Sequence, residues 1–479
     1  MIYFYRMFRN NSIINLLQNQ ALVALCIIVL FILKAPYLHL PYYWDEAWSY
    51  AIAVNDMYTH KITLLPSEVN QSIFRGHPLF FYALTGLFAR LSGFSPLSMH
   101  IWMLVSTSAC AILFYYLVSR VYDESVALLA FVFVLFQETM IVQSSFLLPE
   151  ILIAYLSIFS LLYYSRKQFG LYIVCGILLV LTKESGIVTI LAICLHSFLL
   201  LLFKREFTFT AFRQLLLCST PLMIFALFIF LQKLKWGWYL FPEHTALMNF
   251  SSDYIISRLT GFKNFVFYEQ HRKYFSWLVF ICIPLFFLLR RKSFYRQIIN
   301  EKILLLFIFV ILYCAFSSVN FYSARYMISL LPVFALFAAI VITSLISDTR
   351  INAAISALVG IYFVVTFLIR PSDDLGDTSK NYTKVVSTQE DMFTEFIALH
   401  PGDSFGGDFL TNVNLQNKKI GYLKDNVMTT LPMEEAQYVI ATCIEPNDER
   451  IQTWLKSGRI KLVYEKKNGL AWSRVYKRN

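Results

Sequence analysis

Apolar runs of about 18 residues or more recur through the first three quarters of this 479-residue chain, and each is long enough to cross the ~30 Å hydrocarbon core of a bilayer. Inside lipid a backbone has to satisfy its own N–H and C=O groups, so such runs fold as helices. The pattern predicts eleven spans, near 16–33, 99–119, 125–142, 146–164, 169–182, 186–203, 211–231, 274–289, 303–318, 327–346 and 352–369. The run from Pro78 to Leu91 is too short to cross and reads as an interfacial or re-entrant segment. Composition agrees: 58% of residues are hydrophobic and only 15% charged, against about half and about a quarter in a soluble domain. The chain reads as a mainly α, polytopic membrane protein.

Lys and Arg placement sets the orientation. With a cytoplasmic N-terminus, the inner loops hold roughly 13 Lys/Arg in about 49 residues. The outer loops before the last span hold roughly 12 in about 121. The clusters at 166–167, 204–205 and 290–292 fall on the inner side. The basic N-terminal stretch runs into a full-length span without a small-residue cleavage site, which reads as a retained first helix. The net charge of +11 therefore belongs to topology and anionic headgroups, with no nucleic-acid partner implied. Seven of the eight cysteines lie in spans and none forms a CxxC pair, so no disulfide framework is expected.

After Arg370 the composition turns polar. The opening PSDDLGDTSKN reads as a loop or linker. Beyond it come a helix over QEDMFTEFIALH, a buried strand at QYVIATC, an Asn-capped helix at NDERIQTWLKSG, and strands at RIKLVYEK and LAWSRVYK. Residues 371–479 thus form a small extracytoplasmic α/β domain, large enough to fold alone, behind a membrane domain over 1–370. It carries no phosphate-binding loop or nucleophile motif.

By the charge rule the Asp45–Glu46 pair, His77, Glu150, Lys183 and Arg325 all fall on one side of the membrane. In YYWDEAWSY, residues 42–50, Asp45 and Glu46 stand inside a shell of aromatic rings just outside the first span. Reduced solvation raises a carboxylate's basicity and fits it for general base work. Neighbours on a helix point about 100° apart, so one acid would reach the reaction centre and the other support it. His77 in RGHPLFFYAL opens a short amphipathic run, where a helix N-terminus favours an anionic headgroup. Glu150 follows Pro149 at the start of the fourth span, and Glu138 closes the third. Lys183 and Glu184 in TKESG follow an apolar run of only about 14 residues, which drops them below the outer surface. Arg325 and Tyr326 open the tenth span, and a guanidinium fork suits phosphate. Acids and phosphate-binding bases beside a lipid-accessible cleft suit a reaction on a lipid-linked phosphate.

In order and spacing, WDEA, GHPLFFYAL, the PE of the fourth span, LTKESG and ARYMISLLPVFAL resemble the bacterial branch of the protein O-mannosyltransferase superfamily, over roughly residues 10–370. That family has the GT-C fold and includes the lipid A aminoarabinose transferases and other polyprenyl-phosphate-sugar-dependent enzymes. The resemblance implies that Asp45 is the catalytic base, with Glu46 its accompanying acid. It further implies that Glu150 fills the second acidic position and Arg325 the phosphate-binding one. Position 77 is His where lipid A transferases have Lys, and HPL replaces the usual HPP.

The expected activity is an inverting hexosyl or pentosyl transfer from a polyprenyl-phosphate carrier to a hydroxyl of a protein, lipid A or glycan acceptor, outside the bacterial plasma (inner) membrane. A polyprenyl phosphate leaves as a stable anion, so one essential carboxylate suffices where a glycosidase needs two. Arg325, Lys183 or a divalent cation held by Glu46 or Glu150 would stabilise it; no other cofactor is implied. The competing reading is a transporter or flippase for a lipid-linked sugar, which should place charges at mid-span with repeat symmetry. Here the charges sit in outer loops and at helix ends, and no clean internal repeat exists.

Overall fold

The computed structural model describes residues 10–205, 208–298, 300–320, 323–346, 348–408, 411, 429–444 and 448–479. Each expected apolar run contains a helix, and among the described residues eight helices are long and apolar enough to cross a membrane. They include α1 (Asn10–Lys34), which enters that count from Asn19 onward. Three further expected spans are shorter apolar helices: α3 (Glu124–Leu135), α5 (Glu150–Ser165) and α6 (Phe169–Thr182), with α2 being the long helix Pro96–Val121 and α4 the short Glu138–Gln143. The protein is a multi-pass membrane protein.

The short helices have local causes. The expected run 125–142 breaks at Phe136–Gln137, where Gln137, Glu138 and Thr139 turn polar groups toward the protein interior. The run 146–164 becomes helical only after Pro149, which has no N–H to donate into a preceding turn. Neither helix faces lipid along its length. All residues from Val126 to Leu135 are buried, as are most of α5. A helix apolar on all sides belongs inside a bundle. The other long helices are α7 (Ile187–Lys204), α8 (Phe209–Trp236), α9 (Arg272–Leu289), α10 (Glu301–Val319), α11 (Leu330–Leu345) and α12 (Thr349–Ile369). Helices α2, α11 and α12 pack on α3; α2, α7, α10 and α11 pack on α5; and α8 packs outside on α6 and α7. Phe80–Ser92 is a separate 13-residue helix that packs through Gly86 on Met57 and leaves Leu87 and Leu91 outward.

The polar tail builds a five-stranded sheet in the order β2-β1-β3-β5-β4, from β1 (Ser404–Gly407), β2 (Thr429–Thr430), β3 (Tyr438–Thr442), β4 (Ile460–Asn468) and β5 (Ala471–Arg478). β1 runs parallel to β2 and β3, while β5 is antiparallel to β3 and β4. Helix α13 (Tyr382–Glu395) covers one face through Met392 and Phe393 against Phe405, Ile440 and Val475. Helix α14 (Glu449–Lys456) covers the other through Ile451 against Val439 and Tyr476. Its cap is Asp448, whose carboxylate accepts from the Arg450 N–H, rather than an asparagine; Asn447 lies outside the described residues.

The segment read as a linker is a structural joint. Asp377, Thr378, Ser379 and Asn381 are buried. Gln143 donates to the Asp377 carbonyl at 2.6 Å, Gln270 to the Thr378 carbonyl at 3.0 Å, and the Lys380 N–H to Glu138 at 2.9 Å. Tyr382, Val385, Val386, Cys443 and Ala471 share one apolar cluster with Tyr42, Tyr43, Tyr50 and Leu147. The sheet unit and the membrane body therefore have a common core.

Candidate active site

At WDEA the chain leaves the first span, and Trp44 adopts a left-handed conformation (φ 53°) that turns it into a short π-helical stretch, Glu46–Tyr50. The two adjacent carboxylates then part. Glu46 is buried and accepts from the Leu147 N–H at 2.6 Å, with His100 Nε2 at 3.2 Å. His100 Nδ1 in turn lies 3.0 Å from the Leu38 carbonyl. Glu46 thus ties the loop to α2 and to the turn before α5. Asp45 keeps about a quarter of its side chain exposed and points the other way, to Arg325.

Arg325 is the hub. It stands in the turn before α11, 5% exposed, and its guanidinium donates to both Asp45 and Asp377. Its Nε is 3.6 Å from Glu150 Oε1, and one terminal nitrogen is 3.5 Å from the Tyr326 hydroxyl. Lys183 completes the cluster: its ammonium donates to Glu150 at 3.0 Å, reaches the Tyr50 hydroxyl at 3.5 Å, and lies 4.4 Å from the centre of the Tyr326 ring. The 14-residue α6 brings Lys183 to this depth, and Gly186 closes the turn after it; a Cβ there would stand 2.8 Å from the Leu179 carbonyl. Three carboxylates thus face two cations. Burial pushes the Asp377 carboxyl above its usual range, against the opposing pull of Arg325. Burial likewise keeps the Tyr50 phenol neutral, with Lys183 opposing.

Beside the cluster lies a second group. Gly76 (φ +74°) lets the chain pass under Trp238, whose ring would stand 2.8 Å from a Cβ. His77 follows, with Nδ1 3.0 Å from Glu184 Oε2 and its ring stacked 6.4 Å from Tyr50. His244, from the short helix Pro242–Ala246 after α8, lies 4.8 Å from His77 ring to ring. Donor atoms of His77, Glu184 and His244 lie within 4.8 Å of one another, a set able to hold a divalent cation. Burial, then the neighbouring His77, lowers the His244 imidazole to about 4, leaving it neutral and free to ligate. Of the acids considered for a metal from sequence, Glu46 meets His100 and the Leu147 N–H, and Glu150 Oε1 meets Lys183 and Arg325 while its Oε2 has no hydrogen-bond partner among the described residues.

The structure thus gathers Asp45, Glu150, Lys183, Arg325 and Tyr326 into one cluster and sets His77 and Glu184 against its edge. Glu46 stands behind it, and Glu138 holds the tail through the Lys380 N–H. Sequence reasoning missed Asp377, hidden in a loop-like DDLGD, and His100 and His244, each a lone histidine without a spacing signal.

No protein-family model matches the chain, and no curated protein is significantly similar to it. Among solved structures, ArnT from Cupriavidus metallidurans matches in the apo state with a TM-score of 0.56 at 13% identity, covering 95% of this chain and 98% of that one. The same protein bound to undecaprenyl phosphate matches with a TM-score of 0.56 at 14% identity, over the same shares. The archaeal oligosaccharyltransferase AglB from Archaeoglobus fulgidus, in complex with an inhibitory peptide and a dolichol-phosphate, aligns at 0.48 and 12% identity over 95% of this chain and 74% of that one. At these identities the likeness is one of architecture: the chain has the GT-C fold, a mainly helical membrane body with a small C-terminal sheet unit.

Proposed function

We propose that the protein is an inverting glycosyltransferase that moves a sugar from a polyprenyl-phosphate carrier to an acceptor hydroxyl, at the outer face of the bacterial plasma membrane. The observation that carries this reading is the buried cluster at Arg325, where one guanidinium joins Asp45, Asp377 and Glu150 beside Lys183. A structure of the same fold holds undecaprenyl phosphate, which supports the lipid carrier. The body 1–370 supplies the base and the cations, and the region 371–479 contributes Asp377.

In the proposed step the acceptor oxygen attacks the anomeric carbon as Asp45 takes its proton, and the bond from that carbon to the phosphate oxygen breaks. Asp45 loses its charge on protonation just as the departing phosphate gains its second. Total charge in the site is unchanged, and Arg325, released by Asp45, is free to pair with the phosphate. Lys183 adds a second cation at the same depth. Glu46 positions the Asp45 loop rather than meeting the reacting atoms. Trp48, more than a third exposed, supplies an aromatic face on which a sugar would stack, whereas Tyr50 is buried between His77 and Tyr82.

The test is transfer of radiolabelled sugar from a panel of polyprenyl-phosphate sugars to cell-envelope acceptors by the purified protein. Asp45→Asn should slow transfer by about 10²–10⁴-fold, the range of general base assistance. Transfer by that variant at the wild-type rate would show that Asp45 is not the base. A wild type that transfers from none of the donors yet scrambles labelled lipid across vesicles would be a flippase instead.

A further inference from the structure

The bundle is hollow at the end away from Arg325. Each of α5, α7, α10 and α11 has one end at the carboxylate cluster or its surrounding loops and the other at a cavity of about 1370 Å³. Along the 16-residue α5 the two sites are about 24 Å apart, at 1.5 Å per residue. The cavity is walled by the basic loops that Lys and Arg placement assigns to the cytoplasmic side, and the proposed transfer uses none of them.

The acids at this cavity are occupied. Glu301 pairs with Lys204 at 2.6 Å, Asp123 caps the Val126 N–H at 2.9 Å, and Glu124 accepts from the Asn19 amide at 3.1 Å. The cations are less so. Lys167 and Arg290 line the space and form no ion pair within 4 Å among the described residues, and the Lys302 ammonium donates to the Val121 carbonyl at 3.2 Å and faces the Tyr122 ring, with no carboxylate within 4 Å among the described residues. An acceptor is also stranded: Asn352 is 4% exposed, its amide nitrogen donates to the Ile346 carbonyl, and its Oδ1 has no hydrogen-bond partner among the described residues. A buried oxygen of this kind is costly unless a donor reaches it. Phe203 and Phe209, 74% and 85% exposed, flank the same end with bare aromatic surface suited to acyl chains.

We infer that this cavity binds a phosphate ester carrying a free hydroxyl, with the phosphate between Lys167, Arg290 and Lys302 and the hydroxyl donating to Asn352 Oδ1. A hydroxylated anionic glycerophospholipid of the adjacent leaflet supplies that chemistry, as does a soluble glycerol phosphate.

The test uses the full-length protein in nanodiscs. Lipid retained through purification is measured by native mass spectrometry, for wild type, the double variant Lys167→Gln/Arg290→Gln, Asn352→Leu and Asp45→Asn. Retention of phosphatidylglycerol should fall roughly fivefold for each cation removed, the factor a headgroup-facing Lys or Arg contributes, and should fall for Asn352→Leu. It should be unchanged in Asp45→Asn, which separates this site from the transfer reaction. A photoreactive phosphatidylglycerol on wild type, where folding is not in question, should crosslink near Tyr122 and Tyr164. Added glycerol 1-phosphate tells the sources apart: displacement of the lipid at micromolar concentration assigns the site to the soluble ester, and no displacement assigns it to the lipid. Equal retention by wild type and double variant, or crosslinks confined to the Arg325 end, would overturn the inference.

Discussion

Lys183 and Glu150 show how closely the cluster's members depend on one another. Each is buried, and the Lys183 ammonium donates to Glu150 Oε1 at 3.0 Å, with Arg325 Nε a further 3.6 Å from the same oxygen. Removing one partner strands a charge, a loss of about 3–5 kcal/mol, whereas replacing both by apolar groups is far milder. Lys183→Met should therefore lower the detergent-solubilised melting temperature strongly, and Lys183→Met/Glu150→Leu should restore much of it while leaving transfer abolished. His244 makes a prediction in pH. Its pKa of about 4 in the folded protein lies below the ~6.5 of an unfolded histidine. Protons therefore bind the unfolded chain first as pH falls, and stability drops between about pH 6.5 and 4, at up to about 1.4 kcal/mol per pH unit. His77, Glu184, Arg75 and Lys183 face this ring, so the check is a difference: His244→Gln should flatten the melting-temperature curve across that window relative to wild type. A wild-type slope no steeper than the variant's would refute it.

At the scale of elements, the turn between α6 and α7 sets the depth of Lys183. Gly186 packs on the Leu179 carbonyl, so Gly186→Ala forces this turn outward and carries Lys183 and Glu184 with it. Overpacking of this sort costs about 1–3 kcal/mol. Transfer should fall as well, because misplacing a positioned group by about 1 Å can cost ~10²-fold. Gly170→Ala, at the start of the same helix, meets open space and should leave both stability and rate near wild type. The sequence held the clue to this element in the brevity of its apolar run. It also placed Pro149 and Glu150 at the start of the fourth span, where α5 begins, but held no clue to the break at Gln137, because a composition average cannot tell a buried short helix from a spanning one.

For the molecule as a whole, the sheet unit is no appendage. Its helix α13 and strand β5 contribute to the apolar cluster under the Asp45 loop, and its entry segment delivers Asp377 to Arg325. Expressed alone, residues 371–479 should lack the near-ultraviolet circular dichroism of a packed core, since Tyr382, Val385, Val386 and Cys443 would lose the membrane-side half of theirs. A sharp cooperative melt of that fragment would disprove the shared core. Conversely, Asp377→Asn in the full chain should keep the fold and weaken donor binding or transfer, by removing one of the carboxylates that hold the guanidinium in place.

What the sequence determined by itself is what local pattern controls. Run length made a helical membrane protein, and Lys/Arg asymmetry put Asp45, Glu46 and Glu150 on one side of it. Lipid forbids an unpaired backbone, so apolar length alone settles helix. Asp45, Glu150, Lys183 and Arg325 were legible because charges are so rare beside spans that each stood out. Only the tertiary structure decided who meets whom. That Glu46 turns to His100 and Asp45 to Arg325 depends on one left-handed residue, Trp44. That Asp377 belongs to the site depends on a chain separation of 52 residues closing on Arg325. Such long-range pairings have no periodicity to announce them, and a buried aspartate in a loop reads as a solvated one until the fold is known.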